Sequence, residues 1–227
     1  MLKRDTKNVI LDKALDLFSI YGYEGVSVAD IAGGIGIKAS SLYKHFASKR
    51  EIYNAVLAKA GGGYGEIPGL FGTGGPDADD GVAGSFNTDA FVRSGTALFK
   101  FLLHDDTARK LRRMMIIEQY GDAGASSLFT GQYIDAPLLC HGSLFKNFMD
   151  SGVMKRSDAD VAAAHFYAPV YLMLCLCDNC PEREAESLEF IKQHIIQFCN
   201  IYASVGGGNI SGGGDNVNKA KNDGPLG

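Results

Sequence analysis

The stretch "IAGGIGIKASSLYKHFASKREIY", residues 31–53, decides the fold of the N-terminal part of the chain. Two apolar clusters separated by glycines stand beside hydroxyl-bearing and cationic side chains. The small Ala32 allows a following helix to approach closely, and Gly36 suits a turn that other residues adopt poorly. Ile37 and Leu42 can fill a shared core between two short helices. The spacing therefore predicts a helix-turn-helix.

The segments on both sides of this stretch have helical periodicity. Apolar side chains recur every three or four positions in residues 8–21. Ser27 and Asp30 have the spacing of a capping box at the start of the next helix. Residues 48–51 form a second such box, which opens a helix over residues 49–60. We expect four helices within the first sixty residues.

The rest of the chain divides by composition. Residues 61–85 are rich in glycine and predict a flexible loop, and residues 206–227 predict a disordered tail. No segment alternates with a period of two, so the sequence predicts an all-α fold. A helix-turn-helix domain in residues 1–48 is followed by the connecting helix and a helical domain in residues 86–205. Five helices are predicted there, over residues 86–104, 107–120, 126–151, 158–178 and 181–205.

Charge is distributed unevenly along the chain. The formal net charge is −4, yet the first sixty residues hold nine Lys and Arg against six Asp and Glu. A cationic N-terminal part joined to an acidic remainder suits a module that approaches a polyanion. Charged positions interrupt the N-terminus, so we expect no signal peptide and a cytoplasmic protein. The apolar stretch at residues 161–177 contains His165 and Pro169, which favours a buried helix over a membrane span.

The segment "VILDKALDLFSIYGYEGVSVADIAGGIGIKASSLYKHFASKREIY" resembles the N-terminal domain of the TetR family of transcriptional regulators. The order "ALDLF…GY…SV.DIA..GI…SLYKHF.SK" carries the resemblance. The remainder is similar to the family only in length and helical character. The resemblance implies a dimeric, ligand-responsive repressor that binds double-stranded DNA through its third helix.

Short hydroxyls and long cations on a protruding helix suit base edges in a major groove, flanked by phosphate contacts. The resemblance implies that Ser27 caps helix two and touches phosphate, and that Tyr43 and Lys49 contact the DNA backbone. The residues predicted to bind DNA are Ser27, Lys38, Ser40, Ser41, Tyr43, Lys44, His45 and Lys49.

The start of helix three departs from the family pattern. Lys38 stands where the family often has a capping Ser or Thr, and Ala39 stands where a cation is common. Two interpretations stay open: the cation has moved by one position, or helix three begins less firmly.

Ser41 and His45 could also be read as a nucleophile and its base. No orienting acid or oxyanion loop is recognisable near them in the sequence. We therefore predict that the protein is not an enzyme.

Two late helical segments carry the strongest apolar stripes. Paired with a second copy they would form a four-helix dimer interface, while burial within one chain is the alternative. A two-fold dimer would place its recognition helices about 34 to 36 Å apart, or multiples of that, and would match a palindromic operator. The residues predicted at the interface are Val161, Ala164, Ala168, Tyr171, Leu188, Ile191, Ile195 and Phe198.

The middle helices are rich in aromatic and thioether side chains, which can line an adaptable apolar cavity. Ordinary core packing is the alternative for each of them. We predict a small apolar or aromatic effector, bound among Phe99, Met115, Gln119, Tyr133, His141, Phe145 and Phe166.

Cys175, Cys177 and Cys180 cluster near a predicted helix end. A Cys-x-x-Cys pair could bind a metal or become oxidised, so a thiol- or metal-responsive regulator is the alternative function. However, Cys175 and Cys177 point about 200° apart on a helix. We predict free thiols, no metal site and no cofactor.

Overall fold

The structure is a computed structural model that describes residues 5–63 and 87–204. Within these residues the regular elements are helical, apart from one isolated bridge between Met154 and Ala203. The prediction of an all-α fold is confirmed. The predicted loop beyond Gly63 and the predicted tail lie outside the described residues.

Four helices form an N-terminal unit, called the head here. Asp5 caps the first helix by accepting from the Lys7 N–H at 3.1 Å, and Gly22 ends it with a φ of 70°. The fourth helix runs three residues beyond its predicted end at residue 60, so the start of the predicted loop is helical. The helices of the head are α1 (Thr6–Tyr21), α2 (Val28–Gly34), α3 (Ala39–Leu42) and α4 (Lys49–Gly63).

Residues 87–204 form the body. The helical segment predicted over residues 126–151 is confirmed as far as Asp150, and one π-helical turn, Gly131–Asp135, divides it into two α-helices. The first of them begins at Ala123, since an Asp122 carboxylate oxygen accepts from the Ala125 N–H at 2.9 Å. The helices of the body are α5 (Thr88–His104), α6 (Asp106–Glu118), α7 (Ala123–Thr130), α8 (Ala136–Asp150), α9 (Ala159–Asn179) and α10 (Glu184–Tyr202), with a 3-10 turn at Pro181–Arg183.

Two hydrophobic cores hold these helices together. One lies among α5, α8, α9 and α10. The other joins the four helices of the head to α6, α7 and the π segment, where Met114 and Met115 pack with Phe18 and Tyr53 in a single cluster. Because this second core crosses from head to body, the body sets the orientation of the head.

A buried ion pair fastens α6 to α9. The guanidinium of Arg112, whose side chain is 1% exposed, donates to both carboxylate oxygens of Asp178 at 2.7 and 2.6 Å. A third N–H donates to the Leu102 carbonyl at 2.8 Å. Loss of one partner would leave a buried charge uncompensated, so this pair is a structural requirement of the body.

Helix α9 is long and apolar enough, by length and composition alone, to cross a membrane. Its mean hydropathy is 1.4 over an 18-residue window, of which 39% is buried inside the fold. It packs against α5, α8 and α10. Core helices of globular proteins pass the same test, so this property is weak evidence for a membrane span.

Candidate nucleic-acid interface

A complete capping box fixes the start of α2 at the surface. The Ser27 hydroxyl oxygen accepts from the Asp30 N–H at 3.1 Å, and the Asp30 carboxylate accepts from the Ser27 N–H at 2.8 Å. The hydroxyl also donates to this carboxylate at 2.6 Å. These bonds, first that of the side chain and then that of the backbone, hold the pKa of Asp30 below its usual range. The predicted cap is confirmed. To donate to a phosphate, the Ser27 hydroxyl would have to give up its hydrogen bond to the Asp30 carboxylate.

The turn between α2 and α3 depends on a glycine in the left-handed region. Gly36 has a φ of 73°, which residues with a Cβ adopt only with strain. The turn closes when the Ile37 N–H donates to the Ala32 carbonyl at 3.0 Å. Ala32 and Leu42 are buried, so the inner faces of α2 and α3 meet as the sequence predicts.

Helix α3 is short and begins without a side-chain cap. Lys38 occupies the N-cap position and makes no side-chain hydrogen bond to the first turn. The helix proper contains only Ala39–Leu42, and the chain continues as turns through residue 45. This geometry favours the interpretation that helix three begins less firmly.

The outer face of this turn region carries most of the residues predicted to bind DNA. Lys38, Ser40, Tyr43 and Lys44 are exposed, and Ser41 is half-buried. His45 and Lys49 are also half-buried, while Ser27 is exposed. The exposed fraction of Tyr43 is 53%, although aromatic side chains of this size are usually more deeply buried. The surface therefore offers hydroxyl and ammonium donors next to each other, which suits base edges and phosphate oxygens.

Lys49 has a defined partner inside the head. Its ammonium donates to the Tyr23 carbonyl at 2.8 Å and lies 4.1 Å from the centre of the Tyr23 ring. Arg50 approaches the same ring, with its guanidinium carbon 5.2 Å from the ring centre. These contacts hold the start of α4 against the loop before α2. A phosphate contact by Lys49 stays a prediction.

Polar contacts that the sequence did not predict join the head to the body. Their partners lie far apart along the chain, so no local spacing could have indicated them. Together with the shared core they couple any shift of α6 or of the start of α7 to the head. The contacts are from the Tyr23 N–H to the Glu118 carboxylate at 2.7 Å, from Arg50 to Asp122 at 2.8 Å, and from Lys110 to Asp16 at 2.6 Å.

Tyr53 anchors α4 at this joint. Its side chain is fully buried, with ring centres 5.7 Å from Phe18 and 5.0 Å from Tyr23. Burial, followed by the nearby Asp122 and Glu118 carboxylates, raises the pKa of its hydroxyl. Within the described part of the chain this hydroxyl has no hydrogen-bond partner. The anchor is therefore mainly aromatic packing.

A sequence profile of the family described as bacterial regulatory proteins, tetR family, matches residues 10–56. The N-terminal domain belongs to the TetR family. The match extends from α1 into α4 and so contains the capping box, the Gly36 turn and α3. The resemblance inferred from the sequence is confirmed.

A curated relative shares this TetR-family domain. The negative transcriptional regulator IcaR of the biofilm operon icaADBC, from Staphylococcus aureus strain Newman, is 51% identical over 47 residues. The matched segment covers 21% of this chain and 25% of IcaR. The likeness in sequence is therefore confined to the DNA-binding end.

Solved structures extend the likeness to the whole fold. SmeT, the repressor of the Stenotrophomonas maltophilia multidrug efflux pump SmeDEF, aligns with a TM-score of 0.61 at 17% identity, over 95% of this chain and 98% of SmeT. A SmeT complex with triclosan aligns with a TM-score of 0.59 at 17% identity, over 95% of this chain and 100% of that chain. Salmonella enterica GusR aligns with a TM-score of 0.57 at 18% identity, over 88% of this chain and 98% of GusR. At these identities the likeness concerns the fold: a TetR-family domain followed by a helical body.

The residues predicted to line an effector cavity are divided between the two cores. Met115 and Tyr133 lie in the core shared with the TetR-family domain. Phe99, Phe145 and Phe166 lie in the other core, which belongs to the body alone. One cavity shared by all of them stays a prediction.

The two polar members of that predicted set have local partners. His141 is 2% exposed, with its Nδ1 atom 2.7 Å from the Pro137 carbonyl and its ring centre 4.9 Å from that of Phe166. Burial lowers the pKa of His141 to about 4, although the Pro137 contact acts in the opposite direction. Gln119 is half-buried and donates to the Ile116 carbonyl at 3.1 Å.

Two surface clefts accompany this packing, and neither is lined by the predicted set. The first has a volume of about 600 Å³ and is shallow, since Leu139 in its wall is 73% exposed. The second has a volume of about 270 Å³ and lies between the α5–α6 and α9–α10 turns. The first is lined by Gly131, Asp135, Ala136, Leu138, Leu139 and Asp160.

The residues of the predicted dimer face differ in their exposure. On α9, Val161, Ala164 and Ala168 are exposed, and Tyr171 is half-buried. On α10 the prediction is wrong, because Ile191, Ile195 and Phe198 are at most 1% exposed inside their own chain, and the half-buried Leu188 packs against the same core. The apolar side chains that α10 turns outward are Phe190, Ile196 and Ile201, and α9 adds Leu172.

The cysteines near the end of α9 do not converge. Cys177 is buried and its thiol donates to the Ser187 hydroxyl at 3.3 Å, whereas Cys175 and Cys180 are half-buried. Burial raises the pKa of Cys199, in the body core, to about 11. Within residues 5–63 and 87–204, no three His, Cys, Asp or Glu side chains are arranged to hold a metal ion.

Proposed function

We propose that this protein is a homodimeric transcriptional repressor that binds a palindromic DNA operator through α3. The observation that carries this proposal is the exposed face of Lys38, Ser40, Tyr43 and Lys44 on a TetR-family helix-turn-helix. The repressor acts in the cytoplasm and carries out no enzymatic reaction. IcaR and SmeT, which share its domain or its fold, are described as negative regulators or repressors.

The small size of α3 makes dimerisation necessary for specific binding. A four-residue helix and its following turn can reach only a few base pairs. Two copies related by a two-fold axis read two half-sites about 34 to 36 Å apart, or multiples of that distance. Each copy adds its own phosphate contacts, so affinity and specificity rise together.

The outward face of α9 and α10 is the proposed dimer interface. Val161, Leu172, Phe190 and Ile201 are between 44% and 62% exposed, although they are large apolar side chains on long helices. Exposed apolar patches mark interaction sites. A second copy covering it would form a four-helix interface.

A small apolar or aromatic effector bound in the body would release the DNA. The polar contacts at Tyr23, Arg50 and Lys110 and the shared core provide the route by which the body moves the head. A coupling of about 1 to 3 kcal/mol changes DNA affinity roughly 5- to 150-fold. SmeT in complex with triclosan supports the class of effector.

Selection of bound duplexes from a random DNA pool tests this function. The full chain is expected to enrich an inverted repeat whose half-sites are one helical turn apart, or a multiple of one turn. The same selection with Ser40→Asp, which puts a negative charge on the outer face of α3, should enrich nothing. Equal enrichment by both proteins, or enrichment without a repeat, would reject the proposal.

A further inference from the structure

The smaller cleft, of about 270 Å³, lies where the α5–α6 turn meets the α9–α10 turn. Leu103 and Pro181 give it apolar walls, and Arg109 and Arg113 bring guanidinium groups to its lining. Pockets for drug-sized molecules have volumes of about 300 to 1,000 Å³. The dimensions of this cleft therefore suit a molecule with few heavy atoms.

Most charged groups around the cleft already have a partner of opposite charge or a hydrogen-bond partner. Arg113 differs: it is half-buried, donates to the Asp178 carbonyl at 3.2 Å, and pairs with no carboxylate in the described part of the chain. This leaves Arg113 as the group that can receive an anion. The pairs already made are Arg112 with Asp178 at 2.6 Å, His104 with Glu184 at 2.9 Å, and Arg109 with Asp106 at 3.0 Å.

We propose that this cleft binds a small monocarboxylate. The planar guanidinium of Arg113 presents parallel N–H donors that match both oxygens of a carboxylate. Partial burial of Arg113 strengthens the charge interaction relative to one in bulk water. The short apolar part of the molecule lies against Leu103 and Pro181. This inference names the chemical class of the effector and rests on the proposed function.

The position of Arg113 on α6 connects the cleft to the head. A carboxylate on this guanidinium competes with the Asp178 carbonyl for its N–H donors. The same helix holds α1 through Lys110 and Asp16, and its last residue, Glu118, accepts from the Tyr23 N–H. A small displacement of α6 therefore acts on two contacts that orient the DNA-binding domain.

Calorimetric titration of the full-length protein with sodium benzoate, in a low-chloride buffer, tests the cleft. Benzamide has the same ring without the charge and serves as the matched compound. Benzoate should bind and benzamide should not. Arg113→Gln should weaken benzoate binding by at least about 10-fold, because a hydrogen-bonded charge pair is lost. Arg93→Gln, at an exposed arginine near the start of α5 that does not line the cleft, should change it by less than about 2-fold.

Further measurements separate a lost site from a damaged fold. Arg113→Lys keeps the charge and loses the planar fork, so it should bind benzoate more weakly than wild type and more tightly than Arg113→Gln. Both variants should keep the helical circular dichroism and the melting temperature of the wild type. The cleft is rejected if acetate, butyrate and benzoate all fail to bind, if benzamide binds equally, or if a folded Arg113→Gln variant binds as well as wild type.

The effector role has its own readout. Benzoate should lower the affinity of wild type for the selected duplex and leave that of Arg113→Gln unchanged. Unchanged wild-type affinity would overturn the effector role. The benzoate titration uses DNA-free protein, so the two proposals can fail separately. If benzoate does not bind but the DNA selection enriches an inverted repeat, only the cleft is refuted. If benzoate binds but no operator is enriched, only the proposed function is refuted.

Discussion

Lys44 gives the cleanest test of a single phosphate contact, because it is exposed on the turn that follows α3. Lys44→Ala should weaken binding to all DNA sequences alike. One lost phosphate contact should reduce the slope of log affinity against log salt concentration by about 0.9. Fluorescence anisotropy with a labelled duplex at several salt concentrations measures both effects.

Lys100→Ala is the matched control, since Lys100 is an exposed lysine on α5 in the body. The phosphate assignment of Lys44 fails if the two variants have the same slope. Lys49→Ala should also weaken binding, but its interpretation is less direct because the Lys49 ammonium holds the Tyr23 carbonyl.

His141 should make stability fall on acidification. Its pKa is near 6.5 in the unfolded chain and about 4 in the folded protein, so only the unfolded chain takes up a proton between these values. The free energy of unfolding is unaffected by His141 above about pH 6.5 and should decrease by up to about 3 kcal/mol toward pH 4. His141→Phe should remove most of this decrease.

Urea unfolding at pH 7.5 and at pH 4.5 measures how much the free energy of unfolding falls for the wild type and for His141→Phe. A wild type that loses no more stability than His141→Phe would contradict a neutral, buried His141.

At the residue scale, the sequence predicts what is local. The Ser27 and Asp30 cap was predictable because both partners lie within one helical turn. The Arg112 and Asp178 pair was not, since 66 residues separate the partners and either side chain could equally have been a solvated surface charge. A sequence motif located the residues of α3. The hydrogen bond from Lys49 to the Tyr23 carbonyl could not be predicted, because only the folded chain brings these residues together.

Among the elements, the turn between α2 and α3 yields a matched pair of variants. A Cβ added at Gly33 or at Gly36 would meet no atom within 4 Å, so crowding affects neither site. Gly36 has a φ of +73°, whereas Gly33 lies within α2. Gly36→Ala should therefore destabilise the protein by about 1 to 2 kcal/mol. Gly33→Ala should stabilise it by up to about 1 kcal/mol.

Chemical denaturation of the two full-length variants at neutral pH gives this comparison. Equal effects of the two substitutions would mean that the backbone conformation of Gly36 does not hold the turn. DNA affinity of Gly36→Ala should fall as well, because the turn sets the angle at which α3 leaves the head.

Element boundaries were predictable where a cap or a glycine marks them. Apolar periodicity continues through residues 126–151, so the sequence alone could not show the π segment at Gly131–Asp135. Periodicity also identified an apolar stripe on α10 without showing what it faces. Ile191 and Ile195 turned out to pack in their own chain, because α5, α8 and α9 offer them a core.

For the whole molecule, the proposed dimer face can be tested with two exposed apolar side chains. Leu172 on α9 is 60% exposed within the proposed interface, and Ile20 on α1 is 63% exposed in the head. Leu172→Asp would bury a charge in the interface and should convert the dimer to a monomer. Ile20→Asp should leave the dimer intact.

Sedimentation equilibrium distinguishes the 24.3 kDa chain from twice that mass. A dimeric Leu172→Asp variant, or a monomeric wild type at micromolar concentration, would exclude this interface. Operator affinity should fall together with dimerisation, because one α3 retains only half of the contacts.

The central claim is that two copies of α3 occupy the major groove of one operator. Methylation interference on the selected duplex tests it most directly, because methylation at guanine N7 alters the major groove and methylation at adenine N3 alters the minor groove. Guanine methylation should block binding at two symmetric positions about one helical turn apart, or a multiple of one turn. Interference from adenine methylation alone, or at a single half-site, would contradict it.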